Sequence, residues 1–267
     1  MLTDITLGQY IPVKSAVHNL DPRIKILATF VYITAVFVAN SPLAYILAGL
    51  FTLFVILLSK VKLLTVLKSI KPLMFIILFT AVINIFMTSG NDIIYKLGFL
   101  KITLTGVKNA VFMSLRLIFL VMGTSLLTFT TSPIMLCDGI ESLMKPFSKL
   151  GVPSHELAMM MTIALRFIPT LIEETDKIIK AQKARGADFE SGNIIKRAKA
   201  LVPVLVPLFI SSFRRADELA TAMECRCYRG GEGRTRLKEL KMQKCDFLAS
   251  VVMLLFLGAL ITLNILF

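Results

Sequence analysis

Two arginines offer the clearest chemistry in this chain. They sit in short triplets, Ala184-Arg185-Gly186 and Cys225-Arg226-Cys227, 41 residues apart in a basic, helix-patterned stretch of an otherwise apolar sequence. A guanidinium is permanently charged and planar, and it donates forked hydrogen bonds that match a carboxylate. Such a group docks; it does not trade protons. Each triplet closes an amphipathic helical pattern. Arginine in a last turn meets the negative end of the helix dipole, and glycine just beyond is the ordinary stop, so each triplet alone reads as a helix end before it reads as a binding site. Their recurrence in matched positions points to a paired contact, because two like knobs suit two like pockets.

Other chemistry is thin. The four cysteines are Cys137, Cys225, Cys227 and Cys245. A Cys-x-Cys with a distant third Cys lacks the paired spacing of a zinc site, and His18 and His155 bear no spacing relation to it. No metal site and no cofactor is assigned, and the thiols read as small apolar residues in a reducing compartment. There is no Gly-rich phosphate loop of the Walker type, and His155-Glu156 lacks the second histidine of a metalloprotease helix. No catalytic residue is assigned. The alternative, a membrane-embedded lipid-modifying or proteolytic enzyme, needs clustered polar groups that the sequence does not offer. Acidic residues are absent from the interiors of the apolar spans, which argues against an ion-coupled transporter. Energy for any transport would come from a partner.

The elements that must carry the arginines follow from composition. Of 267 residues 56% are hydrophobic and the mean hydropathy is +0.77. The apolar runs are too long for core helices of a soluble domain, which makes this an integral membrane protein. Spans are expected at 26–39, 43–58, 72–88, 107–130 and 246–267, the first two forming a hairpin around Asn40-Ser41-Pro42. The segment between the third and fourth spans alternates at Lys101-Ile102-Thr103-Leu104-Thr105, a small hairpin pattern. The net charge of +13 would suggest nucleic acid in a soluble protein; here it is lysine- and arginine-rich cytoplasmic segments, and no nucleic acid is expected. With the N-terminus inside, cytoplasmic segments hold 26 of the 30 Lys and Arg residues. The lead before the first span shows no cleavage pattern, so that span is expected to stay in the protein. Arg116 falls within the fourth span, where mid-membrane charge costs about 2.5–3.5 kcal/mol. Snorkelling to the outer interface is preferred there over a partner contact or a substrate path.

The fold class is thus all-α, with about five transmembrane helices and a large cytoplasmic helical domain inserted before the last span. The expected domains are 1–130 (membrane), 131–245 (cytoplasmic) and 246–267 (last span). Within the insert, Ser132-Pro133 starts a helix that runs to about Leu150. Ser154 is expected to N-cap a long helix bent at Pro169 and ending at Arg185-Gly186. A further stretch from Asn193, kinked or divided at Pro203 and Pro207, is expected to end around Arg226 to Gly231. Met159-Met160-Met161 reads equally as core or as an adaptable surface.

Several stretches resemble a known family. They are His18-Asn19-Leu20-Asp21-Pro22-Arg23-Ile24-Lys25, Leu165-Arg166-Phe167-Ile168-Pro169, and Ala181-Gln182-Lys183-Ala184-Arg185-Gly186, with the second arginine triplet and the last span. Together they resemble the transmembrane T component of energy-coupling factor (ECF-type ABC) vitamin or micronutrient transporters. That family carries a pair of X-Arg-X motifs, commonly Ala-Arg-Gly; the first triplet matches in full, and the second keeps only its arginine. The resemblance implies a non-catalytic coupling scaffold in the bacterial cytoplasmic membrane. Its partners would be two ABC-type ATPase subunits and a membrane-embedded, substrate-binding S component. The residues it assigns to ATPase binding are Ala184, Arg185, Gly186, Cys225, Arg226 and Cys227, with Arg185 on one ATPase and Arg226 on the other.

Overall fold

Local start signals set the first helices. The computed structural model describes residues 9–88, 93–97, 100–151, 153–189, 193–230 and 240–266. In α1 (Pro22–Val38) the Asp21 carboxylate accepts from the Arg23 amide at 2.9 Å, and Pro22, with no amide to leave unpaired, opens the helix. Ser41 does the same for α2 (Pro42–Ser59), accepting from the Ala44 amide at 3.3 Å. The lysine-rich connection that follows is helical: α3 (Leu63–Lys68) leads through a short 3-10 turn at Lys71–Leu73 into α4 (Met74–Met87). Strands β1 (Ile93–Leu97) and β2 (Leu100–Thr103) form the expected antiparallel hairpin, with Lys96 opposite Lys101. The turn signals expected at Gly90-Asn91 and Gly98 lie outside the described residues. After it comes α5 (Leu104–Thr130), then α6 (Pro133–Met144) continued by a 3-10 stretch to Leu150. The long helices α7 (Ser154–Ala184) and α8 (Ile194–Cys225) precede the last, α9 (Lys244–Leu266). Both α7 and α8 run undivided through their prolines, Pro169 and Pro203 with Pro207. Ser154 is the first helical residue, not the cap; Pro153 holds that position without a side-chain bond.

Among the described residues, five helical stretches are long and apolar enough to cross a membrane: Pro42–Ser59, Leu63–Met87, Leu104–Thr130, Ser154–Ala184 and Lys244–Leu266. With the family evidence below, they make this a multi-pass membrane protein. The set differs by one from the sequence expectation. The 17 residues of α1 rise only about 25 Å, short of a hydrocarbon core of about 30 Å. Helix α7 qualifies through its apolar first half, whereas its second half carries Glu173, Glu174, Asp176, Lys177, Lys180 and Lys183.

The chain divides into two compact units, one of residues 8–139 with 240–267 and one including 140–239. In the first, α1, α2, α5 and α9 share one core. Ala35, Ala39, Ala44 and Ala48 are fully buried, and such small side chains let apolar helices approach closely without a hydrophobic drive from water. Tyr32, Phe51 and Phe256 fill the space beside them, the Phe51 and Phe256 rings stacking at 4.0 Å. The Tyr32 hydroxyl lies 2.7 Å from Thr52 Oγ1 and 3.2 Å from the Phe119 carbonyl, so this ring is fixed at both ends. A Cβ at Gly123 would lie 2.3 Å from the Tyr32 ring. Gly123→Ala is therefore expected to destabilise this unit by about 1–3 kcal/mol through overpacking, read as a lowered Tm in detergent.

The lead motif is a staple between distant elements. Asp246, at the start of α9 and almost fully buried, accepts from the amides of Asp21 and Gln243, both at 2.7 Å. Lys25, also buried, donates to the carbonyls of His18 at 2.9 Å and Thr130 at 3.0 Å. The carboxylates of Asp246 and Asp21 offset its charge. His18 Nε2 donates to the Ile11 carbonyl at 3.0 Å, which leaves Nδ1 to accept from the Ser15 hydroxyl at 2.7 Å. Burial holds the ring's pKa below the usual histidine value. One short segment joins the starts of α1 and α9 to the end of α5.

Arg116 has a defined place as well. Its guanidinium donates to the Ala39 carbonyl at 2.9 Å and to Asn40 Oδ1 at 3.3 Å, over the Phe37 ring at 5.7 Å. It closes the open C-terminal end of α1 and ties α5 to the α1–α2 turn.

Candidate functional site

The two arginine triplets lie in the second unit, at the ends of α7 and α8. That pair is held by Glu174, which accepts from the Ser211 hydroxyl at 2.5 Å and from the Arg215 guanidinium. Gln182 donates to the Pro203 carbonyl at 3.4 Å. As α7 advances from 174 to 182, its partner positions fall from 211 to 203, so the helices run in opposite senses. Arg185 and Arg226 consequently occupy opposite ends of the pair, separated by roughly 40 Å of helical rise.

Both ends close in the same way. After α7 the Ala187 amide donates to the Gln182 carbonyl and the Gly186 amide to the Lys183 carbonyl, each at 3.0 Å. After α8 the Tyr228 amide donates to the Met223 carbonyl at 3.1 Å and the Cys227 amide to the Glu224 carbonyl at 2.8 Å. This double bond is the Schellman closure, which satisfies carbonyls otherwise orphaned at a helix end. Arg185 and Arg226 each hold the capping position, the last residue before the chain turns left-handed.

The residue that turns left-handed differs between the two. At the first end it is Gly186, with φ of +86° and nothing within 4 Å of where a Cβ would sit. At the second it is Cys227, with φ of +55°. The sequence pattern placed the closing glycine at Gly230-Gly231, but Gly230 comes after the turn and Gly231 lies outside the described residues. A side chain in the left-handed region costs about 1–2 kcal/mol. Gly186→Ala is therefore expected to destabilise the α7 end by about 1 kcal/mol, and Cys227→Gly to stabilise the α8 end by a similar or smaller amount. Amide hydrogen exchange over the last turn of each helix reads both effects.

Ala184, Arg185, Gly186, Cys225, Arg226 and Cys227 are all exposed. Among the described residues, neither capping guanidinium meets a hydrogen-bond or ion-pair partner. The favourable dipole position anchors the charge, and the closed turn holds its backbone, so each arginine is a presented donor set. Elsewhere in the unit His155 pairs with Glu141 at 3.2 Å. Among the described residues no three metal-ligating side chains cluster. The sequence missed the Glu174–Arg215 clamp; Arg214, Arg215, Asp217 and Glu218 stood out only as a charged stretch, with no local sign of which one reaches α7.

The comparisons with known proteins agree on one family. The family described as cobalt transport protein (CbiQ) matches residues 13–237. A Clostridium kluyveri protein named energy-coupling factor transporter transmembrane protein EcfT is 64% identical over 252 residues, 94% of this chain and 93% of that relative. The protein of the same name from Ruminiclostridium cellulolyticum is 53% identical over the full length of both chains. That from Bacillus subtilis is 49% identical over 98% of each. These are transporter proteins, and the enzymatic alternative gains no support from them. With a family match across most of its length and relatives this similar end to end, the chain belongs to the energy-coupling factor transporter transmembrane proteins.

Proposed function

We propose that this chain is the non-catalytic coupling subunit of an ECF-type ABC importer, joining two cytoplasmic ATPases to a membrane-embedded S component. The observation that carries the reading is the pair of like helix closures, each presenting one exposed arginine, without a partner among the described residues, at opposite ends of an antiparallel pair. Arg185 docks one ATPase and Arg226 the other, with Ala184, Gly186, Cys225 and Cys227 as small flanks that let each helix end enter a groove. An acidic groove would recognise the guanidinium by forked, charge-assisted bonds. Residues 131–245 form the coupling domain and, with the N-terminus, lie on the cytoplasmic side of the bacterial cell membrane. Helices α1, α2, α4, α5 and α9 are the spans, and α7 stays with the coupling domain because half of it is charged.

The relatives' printed name, energy-coupling factor transporter transmembrane protein, supports placement in such a complex. An apolar face on α8 supports an S component as the third partner: Val202, Leu205, Val206, Phe209, Ile210 and Phe213 are each at least half exposed. ATP-driven approach of the two ATPases would pull the arginine-bearing ends together, and the rigid helices would pass that motion to the substrate-loaded subunit. The imported vitamin or micronutrient is set by the S component. No cofactor and no nucleic acid enters the scheme.

Reconstitution in liposomes tests the assignment. The chain with two ATPases and an S component is expected to give ATP-dependent uptake, and the purified chain alone no ATP hydrolysis. Hydrolysis by the chain unaided, or uptake that persists when the chain is left out, would overturn it.

A further inference from the structure

The two docking ends share the same pair of closing backbone bonds, yet their flanks differ in chemistry. Ala184 and Gly186 at the first end are replaced at the second by Cys225 and Cys227, both exposed and both free thiols. Cys227 stands in the left-handed position, where glycine carries no strain. Among the described residues only Lys60 and Cys227 are non-glycine residues with positive φ. The fold thus tolerates strain to hold a thiol directly beside the docking guanidinium, with the exposed Arg229 two residues further on. The other two cysteines differ in setting. Cys137 is buried, and burial, followed by the Asp138 carboxylate, raises its thiol pKa; Cys245 is exposed but lies at the start of α9 in the other unit.

We propose that Cys225 and Cys227 form a thiol-modification site that makes the Arg226 arm, and only that arm, sensitive to low-molecular-weight disulfides. The inference rests on the docking role of Arg226 proposed above. A thiolate of Cys225 or Cys227 attacks a disulfide R–S–S–R. The S–S bond breaks, a protein–S–S–R bond forms, and one R–S⁻ leaves to take a proton from water. No net electrons are needed beyond those in the disulfide, and excess free thiol reverses the step. The neighbouring arginines, Arg226 and Arg229, attract an anionic disulfide. The added group then occupies the space beside the guanidinium that an ATPase groove must enclose. In the assembled transporter both thiols lie in the contact, so modification and docking exclude one another. The first arm, with no thiol, stays competent, and the complex loses one of two linked contacts.

The test uses the full chain in nanodiscs with its ATPases and oxidised glutathione as the probe. Mass spectrometry is expected to find the adduct on Cys225 or Cys227 of the free chain, and little when the ATPases are bound. Preformed adduct is expected to weaken ATPase association about tenfold or more, restored by dithiothreitol. The double variant C225A/C227G, which recreates the Ala-Arg-Gly flanks of the first arm, is compared with itself in reduced buffer, and its ATPase association should not change when the probe is added. C245S should behave as the parent. An adduct at Cys225 or Cys227 that leaves association unchanged overturns the inference, as does a probe that modifies Cys245 alone. Arg226→Glu measured with all thiols reduced separates the two readings. If that variant binds ATPases normally, the docking role fails; if it does not, and the adduct is silent, only the thiol site fails.

Discussion

Charge reversal at both arginines, Arg185→Glu with Arg226→Glu, is expected to abolish stable association with the ATPases and to reduce uptake to background. Losing one partner of a buried, hydrogen-bonded charge pair costs about 2–5 kcal/mol, equivalent to roughly 30-fold to several-thousand-fold in affinity. Reversal adds repulsion from the groove's own carboxylates. The single variants should be milder, since the remaining arm keeps the partner close at high effective concentration. Arg185→Glu is expected to be the more damaging, because its Ala-Arg-Gly flanks leave the least obstruction on entry. The fold should survive both changes. Each side chain is exposed and, among the described residues, touches no partner, so the loss within the chain is the dipole contribution of about 1 kcal/mol per end. Size-exclusion profile and Tm of the isolated subunit separate lost docking from lost folding. Arg→Gln variants, which keep bulk without charge, should fall between.

The second large effect lies in the membrane unit. Asp246→Ala is expected to destabilise the chain by about 3–5 kcal/mol, enough to lower Tm in detergent sharply or to prevent accumulation in the membrane. The substitution orphans the Asp21 and Gln243 amides and removes an anion from the buried ammonium of Lys25. Asp246→Asn retains an acceptor oxygen but not the charge, and its cost should be smaller. Asp246→Ala combined with Lys25→Met should recover part of the loss, because the uncompensated charge goes with its partner. A double variant no better than Asp246→Ala alone would mean that the staple works through backbone acceptance only.

Much of this architecture was legible because its signals are local. Asp21-Pro22 and Ser132-Pro133 each combine an acceptor with a proline at a helix start, and both begin helices, while the turn expected at Asn40-Ser41-Pro42 separates α1 from α2. Four of the five expected spans followed from apolar length, and the arginines from their place at the ends of amphipathic patterns. What the sequence hid was long-range or conformational. Nothing around Asp246 announces that it bonds a backbone amide 225 positions away. Nothing near Arg116 in the sequence shows that its acceptors, at Ala39 and Asn40, belong to the α1–α2 turn. Cys227 was misread for a different reason: glycine is the usual left-handed residue, and a glycine pair stood close enough to take that role on paper. The hydrogen bonds of the closure, not residue type, locate the turn.

Site-specific photo-crosslinking tests the central claim most directly. A benzophenone amino acid at position 185 or 226, in the full chain expressed with its ATPases and S component, captures whatever encloses each helix end. The account predicts an ATPase adduct from both positions, a different subunit from each, and none from an exposed control at position 180 on the body of α7. Adducts from 185 and 226 that contain only lipid or the S component, or no adduct in a complex that transports normally, would contradict it.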